Sequence, residues 1–412
     1  MRVVRLECDN DSLSLDRYNK LFVFNPENGL LQVYSNDNFI LPLTYTSDYV
    51  LNAFNVPYIG DDYKLIINPQ IEGSYSFPFK LFIDITDRCN LNCKHCLTKN
   101  LNLGNELELE SILDIAKECA EGGVFYVKLG GGEPLLHPHI HTIVAAFTRN
   151  NIAVSLSTNG LCINDDIARF LFENNVKVSV SIEGPKNIDE EIRGEGHFDL
   201  AVQALQVLQL AGCKVSLRVT LTRKLLNVEL IQQLIDLSLE YAVPLKFSYC
   251  RPAGNAIDNE LLIRFDDYRE YYEVLKLINS SRYSHIIMDE GMQFVQPQEL
   301  KSMLYSNRIC GSANRSMHIN SAGFISPCVF LGTDYIEEKS KYTYGDIHNY
   351  WTEIKGCNFR RIRNINIPDL CLTCNRLCKY ECLATRYYTT GAFTECDPNC
   401  LINVLKKCQE KE

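Results

Sequence analysis

The chain of 412 residues contains no apolar run approaching the roughly 18 residues that a membrane-crossing helix needs. Its opening stretch, MRVVRLECDNDS, is polar and lacks the apolar centre of a secretory signal, so a cytosolic location is expected. Basic residues are not in surplus either. Lys and Arg number 41 against 51 Asp and Glu, a net charge of -10, which argues against a broad footprint for nucleic acid or an anionic membrane. A phosphate-binding loop is missing as well: the glycine run Gly130-Gly131-Gly132 is followed neither by Gly-Lys-Ser/Thr nor by a complete GxGxxG. What the chain does hold in quantity is cysteine, 18 residues in all. In the cytosol these stay as thiols, which disfavours a disulfide framework and favours metal or redox use.

Three of them, Cys89, Cys93 and Cys96, stand in TDRCNLNCKHC just after the strand-like stretch Phe79 to Thr86. CxxxCxxC supplies three thiolates, one fewer than a closed tetrahedral set. A cubane iron-sulfur cluster on three sulfurs keeps one iron open, whereas electron-transfer clusters close the fourth position with a further cysteine. A zinc site is the competing reading, with His95 as its fourth ligand. A second motif, Gly130-Gly131-Gly132-Glu133-Pro134, follows the apolar run Phe125 to Leu129 and precedes a helical pattern up to Asn150. Glycines there let backbone approach a ligand closely, and Glu133 can serve as an ionised acceptor.

Strands and helices alternate from there. The patterns place strands at Lys80 to Thr86, Phe125 to Leu129, Ala153 to Ser157, Lys177 to Ile182, Lys214 to Leu221 and Leu245 to Ser248. Helices fall between them at Glu108 to Gly122, His139 to Asn150, Asp165 to Asn174, Asp199 to Ala211 and Asn227 to Tyr241. Such alternation implies a parallel sheet with right-handed crossovers, whose reactive residues gather at the C-terminal ends of the strands. Ahead of it, residues 1–77 carry short β-like runs (Leu21 to Phe24, Leu30 to Tyr34, Tyr63 to Ile67) and one helical candidate, Ser47 to Phe54. This N-terminal β-rich module is expected to cover the bottom or edge of the sheet. A leader-peptide recognition domain would need several helices.

Taken together, the cysteine triplet and the GGE segment resemble the radical S-adenosylmethionine (SAM) superfamily. The resemblance implies an α/β fold, a partial (β/α)6 TIM-like barrel, in residues 78–250. It implies that Cys89, Cys93 and Cys96 hold a 4Fe-4S cluster that binds SAM and yields a 5'-deoxyadenosyl radical. Gly131, Gly132 and Glu133 match the segment that takes the methionyl ammonium. Ser157 and Asn159 in Ser-Thr-Asn-Gly, and Ser181 in Ser-Ile-Glu-Gly-Pro, match segments that meet the SAM ribose and carboxylate. Both are also ordinary turn formers. Arg193, in Ile-Arg-Gly-Glu-Gly-His-Phe, matches an arginine that pairs with the SAM carboxylate, for which a forked guanidinium is suited.

Beyond a connecting helical segment at 251–305, the composition changes. Ten cysteines fall in the 103 residues from Cys310 onward. Cys310, then Gly323 and Cys328, then Cys371-x2-Cys374-x3-Cys378-x3-Cys382, then Cys400, resemble the SPASM extension, so residues 306–412 are expected to form an Fe-S domain with two auxiliary 4Fe-4S clusters. By order in the family, Cys310, Cys328 and Cys382 hold the first, and Cys371, Cys374, Cys378 and Cys400 the second. The middle gap is x3 where the family has x5, which leaves Cys396 as a substitute for Cys400. No cysteine lies a few residues before Cys310, so the first auxiliary cluster is either open or completed by Cys250, Cys357 or a non-cysteine group. A zinc ribbon from Cys371/Cys374 and Cys396/Cys400 is the competing reading. Cys8, Cys119, Cys162, Cys213 and Cys408 read as ordinary thiols.

Within SPASM proteins the mycofactocin-maturase group is the nearest in pattern, through Phe125-Tyr126-Val127, Gly130 to Pro134, Arg193 to Asp199, Arg251-Pro252-Ala253-Gly254 and Asp397-Pro398-Asn399-Cys400. The resemblance implies an oxidoreductase acting on a ribosomally made precursor peptide. It would abstract a hydrogen atom and give an oxidative cross-link, thioether or decarboxylation, with an auxiliary cluster as electron sink. Implied partners are the precursor peptide, a separate leader-peptide-binding protein and a reductant such as flavodoxin or ferredoxin, with no nucleic acid and no membrane. A haem-pathway decarboxylase with a small-molecule substrate and a non-catalytic Fe-S scaffold remain as alternatives.

Overall fold

The computed structural model describes residues 1–8, 20–28, 30–36, 46–59, 62–69, 75–98, 102–278, 280, 282–288, 310–331, 341–365 and 382–393. Cys371, Cys374, Cys378 and Cys400, together with Cys396 and Cys408, lie outside the described residues. Among the described residues no helix is long and apolar enough to cross a membrane.

An N-terminal sheet is built from β1 (Arg2–Cys8), β2 (Lys20–Asn25), β3 (Leu30–Ser35) and β4 (Tyr63–Pro69), in the order β3-β2-β1-β4, with one helix, α1 (Ser47–Ala53). The main sheet then starts with β5 (Lys80–Thr86), β6 (Tyr126–Gly131), β7 (Ala153–Thr158), β8 (Lys177–Ser181), β9 (Lys214–Leu221) and β10 (Leu245–Tyr249), hydrogen-bonded in sequence order and parallel throughout. Between them run α2 (Leu109–Gly122), α3 (Ile140–Thr148), α4 (Asp165–Glu173), α5 (Lys186–Arg193), α6 (His197–Leu210) and α7 (Val228–Glu240). The six expected strands and five expected helices are all present.

The sheet extends beyond those six at both edges. After the short α8 (Asn255–Asp258) and α9 (Tyr268–Ile278), β11 (Ile286–Met288) adds in parallel to β10. On the opposite edge β12 (Ser316–Ile319) pairs in parallel with β5, and β13 (Ile325–Ser326) continues antiparallel to it. Nine strands therefore form one sheet, in the order β11-β10-β9-β8-β7-β6-β5-β12-β13.

Strand alternation sets the two faces of this sheet. On β5, Leu81, Ile83 and Ile85 are fully buried in the core that also takes Ile112 and Ile115 of α2, while Phe82 and Asp84 point to the opposite face. On β6, Val127 and Leu129 pack with that core, and Lys128 faces the interior cavity. The N-terminal sheet closes the bottom, as expected. Phe22 and Phe24 of β2 meet Phe79 and Phe125, the residues just ahead of β5 and β6, with ring centroids 4.8 and 5.2 Å apart. A buried Arg5–Glu7 ion pair fixes this junction. Arg5 donates to the Phe77 carbonyl at 2.7 Å, and Glu7 accepts from the Ser76 hydroxyl at 2.6 Å.

The C-terminal residues dock on α2. Glu118 is buried and accepts from Tyr342 Oη at 2.7 Å and from the backbone N–H groups of Gly345 and His348 at 3.0 and 2.8 Å. Burial pushes its carboxyl up, against the pull of those donors.

Candidate active site

The chain leaves β5 at Thr86 and enters the loop that carries Cys89, Cys93 and Cys96. Asn102 fixes the loop's start in a two-way bond, accepting from the Cys89 N–H at 2.8 Å and donating to its carbonyl at 3.2 Å. At the far end, the turn after β10 clamps it. Asn255 donates from its N–H to the Cys96 carbonyl at 2.8 Å and from its side chain to the Cys93 carbonyl at 3.2 Å, and Asn259 reaches the Lys94 carbonyl at 3.0 Å. Gly254 permits this contact. Its φ is +62°, and a Cβ there would stand 2.2 Å from the Cys96 carbonyl oxygen and 2.4 Å from that of Leu97.

At the end of β6 the GGE segment presses on the same loop. The Gly132 N–H donates to Thr86 O and the Glu133 N–H to Arg88 O, both at 2.8 Å, and a Cβ at Gly132 would lie 2.1 Å from the Arg88 carbonyl oxygen. Glu133 is buried, with its two carboxylate oxygens taking the N–H groups of Leu135 at 3.2 Å and Asn159 at 2.8 Å. It thus ties the end of β6 to the end of β7. Burial raises its carboxyl above the ordinary range despite these donors.

A second buried carboxylate organises the opposite wall. Glu183, just after β8, takes Arg193 Nη2 at 2.5 Å and His95 Nε2 at 2.9 Å on one oxygen, and the Thr220 N–H at 2.7 Å on the other. Burial pushes this carboxyl up, but His95 and Arg193 outweigh it and hold it at about 2. The Glu183 N–H donates to Asp189 at 2.7 Å. Asp189 in turn pairs with His197 at 2.6 Å, whose other ring nitrogen is 3.1 Å from the Asn159 carbonyl. One buried chain of polar contacts therefore runs from β7 through α6 and α5 to the cysteine loop. Arg193 is the last residue of α5, a helix absent from the five expected from the sequence, and its Nη1 lies 3.8 Å from Cys93 Sγ.

These elements enclose a cavity of about 310 Å³. Cys89, Cys93 and Cys96 line it, and so do Gly131, Gly132, Glu133, Ser157, Asn159, Ser181 and Arg193. All ten residues read from the sequence as the radical site are thus on one wall or another of a single cavity. Burial pushes all three thiols up, Cys93 to about 11, while Arg193 pulls the other way. Four buried polar atoms of residues lining this cavity have no hydrogen-bond partner: Ser157 Oγ, Arg193 Nε, His95 Nδ1 and Ser248 Oγ. Polar groups that are buried and unsatisfied within a cavity are suited to a polar ligand. His95 is held in the wall through its Nε2, which faces Glu183.

The remaining wall was not read from the sequence as part of the site. Lys128 and Arg218 enter from β6 and β9, and Ser248, Tyr249, Cys250 and Arg251 from the end of β10. Their signal was present in two forms. Lys128 and Arg218 alternate with buried apolar neighbours, and Arg251 opens the Arg-Pro-Ala-Gly segment. Cys250 is buried against this cavity, and Cys357 is exposed at the start of a C-terminal helix.

Of the expected auxiliary ligands that are described, Cys310 is buried, and Cys328 and Cys382 face each other closely enough that Cys382 adds to the effect of burial in pushing the Cys328 thiol to about 12. The Phe330 N–H points to Cys328 Sγ at 3.4 Å. Val329 and Phe330, immediately after Cys328, line the same cavity. His318 of β12 fixes that junction from the other side, with Nε2 2.8 Å from Asp84 of β5 and Nδ1 3.1 Å from Ser326 Oγ.

Comparison with known proteins places this geometry. Residues 83–237 match the Radical SAM superfamily model. The chain is 28% identical over 340 residues to mycofactocin maturase MftC of Mycobacterium tuberculosis (strain H37Rv), covering 81% of this chain and 85% of that one. Among solved structures it is similar in fold to Streptococcus suis SuiB bound to its precursor peptide SuiA, with a TM-score of 0.68 at 16% identity over 97% of this chain and 100% of that one. It is also similar to anSMEcpe with bound AdoMet, with a TM-score of 0.62 at 18% identity over 81% of this chain and 100% of that one.

Proposed function

Taking residues 83–237 as a radical SAM domain, we propose that this chain is an oxidoreductase that modifies a ribosomally made precursor peptide. The observation that carries the reading is the convergence of the cysteine triplet, the GGE segment and Arg193 on one cavity that also touches the cysteine-rich C-terminal region. Similarity to mycofactocin maturase over most of both chains supports the peptide substrate, as does the fold shared with SuiB.

In this reading Cys89, Cys93 and Cys96 hold a 4Fe-4S cluster. When bound, the cluster and SAM together supply a 5'-deoxyadenosyl radical able to take a hydrogen atom from an unactivated C–H. The residues present fit such a group: three thiols converge, glycines admit close backbone approach, and the buried polar atoms without partners face the cavity. Gly131, Gly132 and Glu133 would receive the methionyl ammonium. Ser157, Asn159 and Ser181 would meet the ribose and carboxylate. Arg193, its fork already held by Glu183, offers Nε to the carboxylate, so its orientation is set before the ligand arrives. Lys128, Arg218, Tyr249 and Cys250 are left to shape the substrate's share of the cavity.

For the C-terminal region we propose two auxiliary 4Fe-4S clusters, the first on Cys310, Cys328 and Cys382 and the second on Cys371, Cys374, Cys378 and Cys400. They would make the net reaction oxidative and the product a cross-link, a thioether or a decarboxylated residue. A flavodoxin or ferredoxin would serve as reductant, and a separate protein would present the leader peptide.

The test is anaerobic. Reconstituted, reduced protein is expected to convert SAM to 5'-deoxyadenosine, and to change the mass of a peptide encoded by a short open reading frame beside its gene. Failure to cleave SAM would remove the radical reading; cleavage with porphyrin-pathway neighbours and no such frame would remove the peptide.

A further inference from the structure

Arg251 stands where the radical cavity and the auxiliary cysteines share a wall. It follows β10 directly, is buried at 8% exposure and lines the cavity. Its Nε donates to Cys382 Sγ at 3.1 Å, its Nη1 donates to the Tyr249 carbonyl at 3.2 Å, and its guanidinium carbon lies 3.9 Å from the centroid of the Phe330 ring. The ring and the carbonyl fix the plane of the guanidinium, which aims a charged N–H at sulfur.

The Phe330 ring that the guanidinium covers belongs to the residue whose N–H points to Cys328 Sγ at 3.4 Å, so the cation stands beside the segments that carry both sulfurs. A guanidinium keeps its charge at any working pH. Away from bulk water that charge is weakly screened.

We propose that Arg251 sets the reduction potential of the auxiliary cluster held by Cys328 and Cys382, and does so from the wall of the radical cavity. The inference rests on the auxiliary-cluster reading above. Hydrogen bonds to cluster sulfurs and nearby positive charge favour the reduced, more negative state and so raise the potential. Arg251 is a positioning residue: it acts through Cys382 and not on the substrate's reacting atoms. Its placement puts a cluster of raised potential beside the cavity in which a substrate radical would form.

The experiment uses the full chain carrying C89A, C93A and C96A, so that only auxiliary clusters give a signal, reconstituted with iron and sulfide and titrated anaerobically under EPR. Arg251→Gln is expected to lower one midpoint by at least a tenfold change in the one-electron equilibrium, 59 mV, with any second midpoint unchanged. Arg251→Lys keeps the charge and loses the Nε contact, and is expected to lower the same midpoint by less. A midpoint unmoved in Arg251→Gln overturns the proposal, and so does an equal fall in both variants. If Arg251→Gln fails to retain iron, Arg251→Lys decides alone: a lowered midpoint supports the assignment and an unmoved one overturns it. A parent chain that binds no auxiliary iron would overturn the cluster reading itself, and the role of Arg251 with it.

Discussion

Arg193 and Glu183 meet at 2.5 Å in the wall of the cavity, both almost wholly removed from water. Neither charge is tolerable there alone. Removing one partner of such a pair leaves the other buried and uncompensated, at a cost of about 3–5 kcal/mol. Glu183→Gln is therefore expected to lower unfolding stability by roughly that amount. The pH dependence has a definite sign. With its folded carboxyl held at about 2, below the ordinary 4.5, Glu183 contributes stability that is complete above 4.5 and is lost as pH falls towards 2. Anaerobic denaturant unfolding from pH 6 to pH 2 checks this: the variant should show a smaller fall over that window than the parent, and an unchanged acid limb would contradict the assignment.

Arg193 also tests SAM binding. A lysine keeps the charge but cannot hold Glu183 and present a second donor in one plane. Loss of a charge-assisted contact costs about 1.5–3 kcal/mol, so Arg193→Lys is expected to weaken SAM binding roughly ten- to hundredfold with iron content unchanged. Equilibrium dialysis beside an iron assay reads both quantities. Unaltered affinity would confine Arg193 to its partnership with Glu183.

The cysteine triplet makes the most direct claim. Replacing Cys89, Cys93 and Cys96 together with Ala is expected to remove about one cluster's complement of four irons and to abolish 5'-deoxyadenosine formation. Cys119→Ala, on the buried face of α2, should leave both intact. A reduced triple variant that still cleaves SAM would show that the cluster sits elsewhere.

Gly254 lies outside the cluster loop yet is expected to govern it. At φ +62° and with backbone oxygens 2.2 and 2.4 Å from where a Cβ would be, Gly254→Ala must displace the carbonyls of Cys96 or Leu97. Full occupancy of the reductive cluster should then be lost while the folded core persists, as seen in iron per chain against far-ultraviolet circular dichroism. Normal iron loading in that variant would mean the loop is less tightly clamped than Asn255 and Asn259 suggest.

Much of this was legible in the sequence because the signals were local. The strands from β5 to β10 announce themselves by apolar alternation and by the helices between them, and their observed limits match the sequence reading to within two residues, with β5 and β9 identical. The residues that line the cavity were legible for a related reason: they cluster at strand ends, where a parallel sheet gathers loops on one side. What escaped reading depends on distant partners. β11, β12 and β13 are three, four and two residues long, too short to carry a pattern, and exist because a sheet edge waits for them. β1 was missed because Arg5 and Glu7, both wholly buried, break the expected apolar rhythm. Asp189 and His197 joined the site only through a buried pair that no spacing rule foretells, and Arg251 only through the approach of Cys382 from 131 positions away.

The pairing of β12 with β5 imposes an order on the birth of the molecule. Ser316 lies opposite Lys80 and Ile319 opposite Ile83, so the first barrel strand waits for a neighbour that leaves the ribosome more than two hundred residues later. At synthesis rates of about 5–20 residues per second, that edge stays open for roughly ten to fifty seconds, and an unpaired strand edge is a template for unwanted association. The cysteine loop begins directly beyond that strand. A nascent chain would thus present the three thiols of that loop and its stickiest edge side by side until β12 arrives to cover the edge, which makes β12 a closing seam for the sheet.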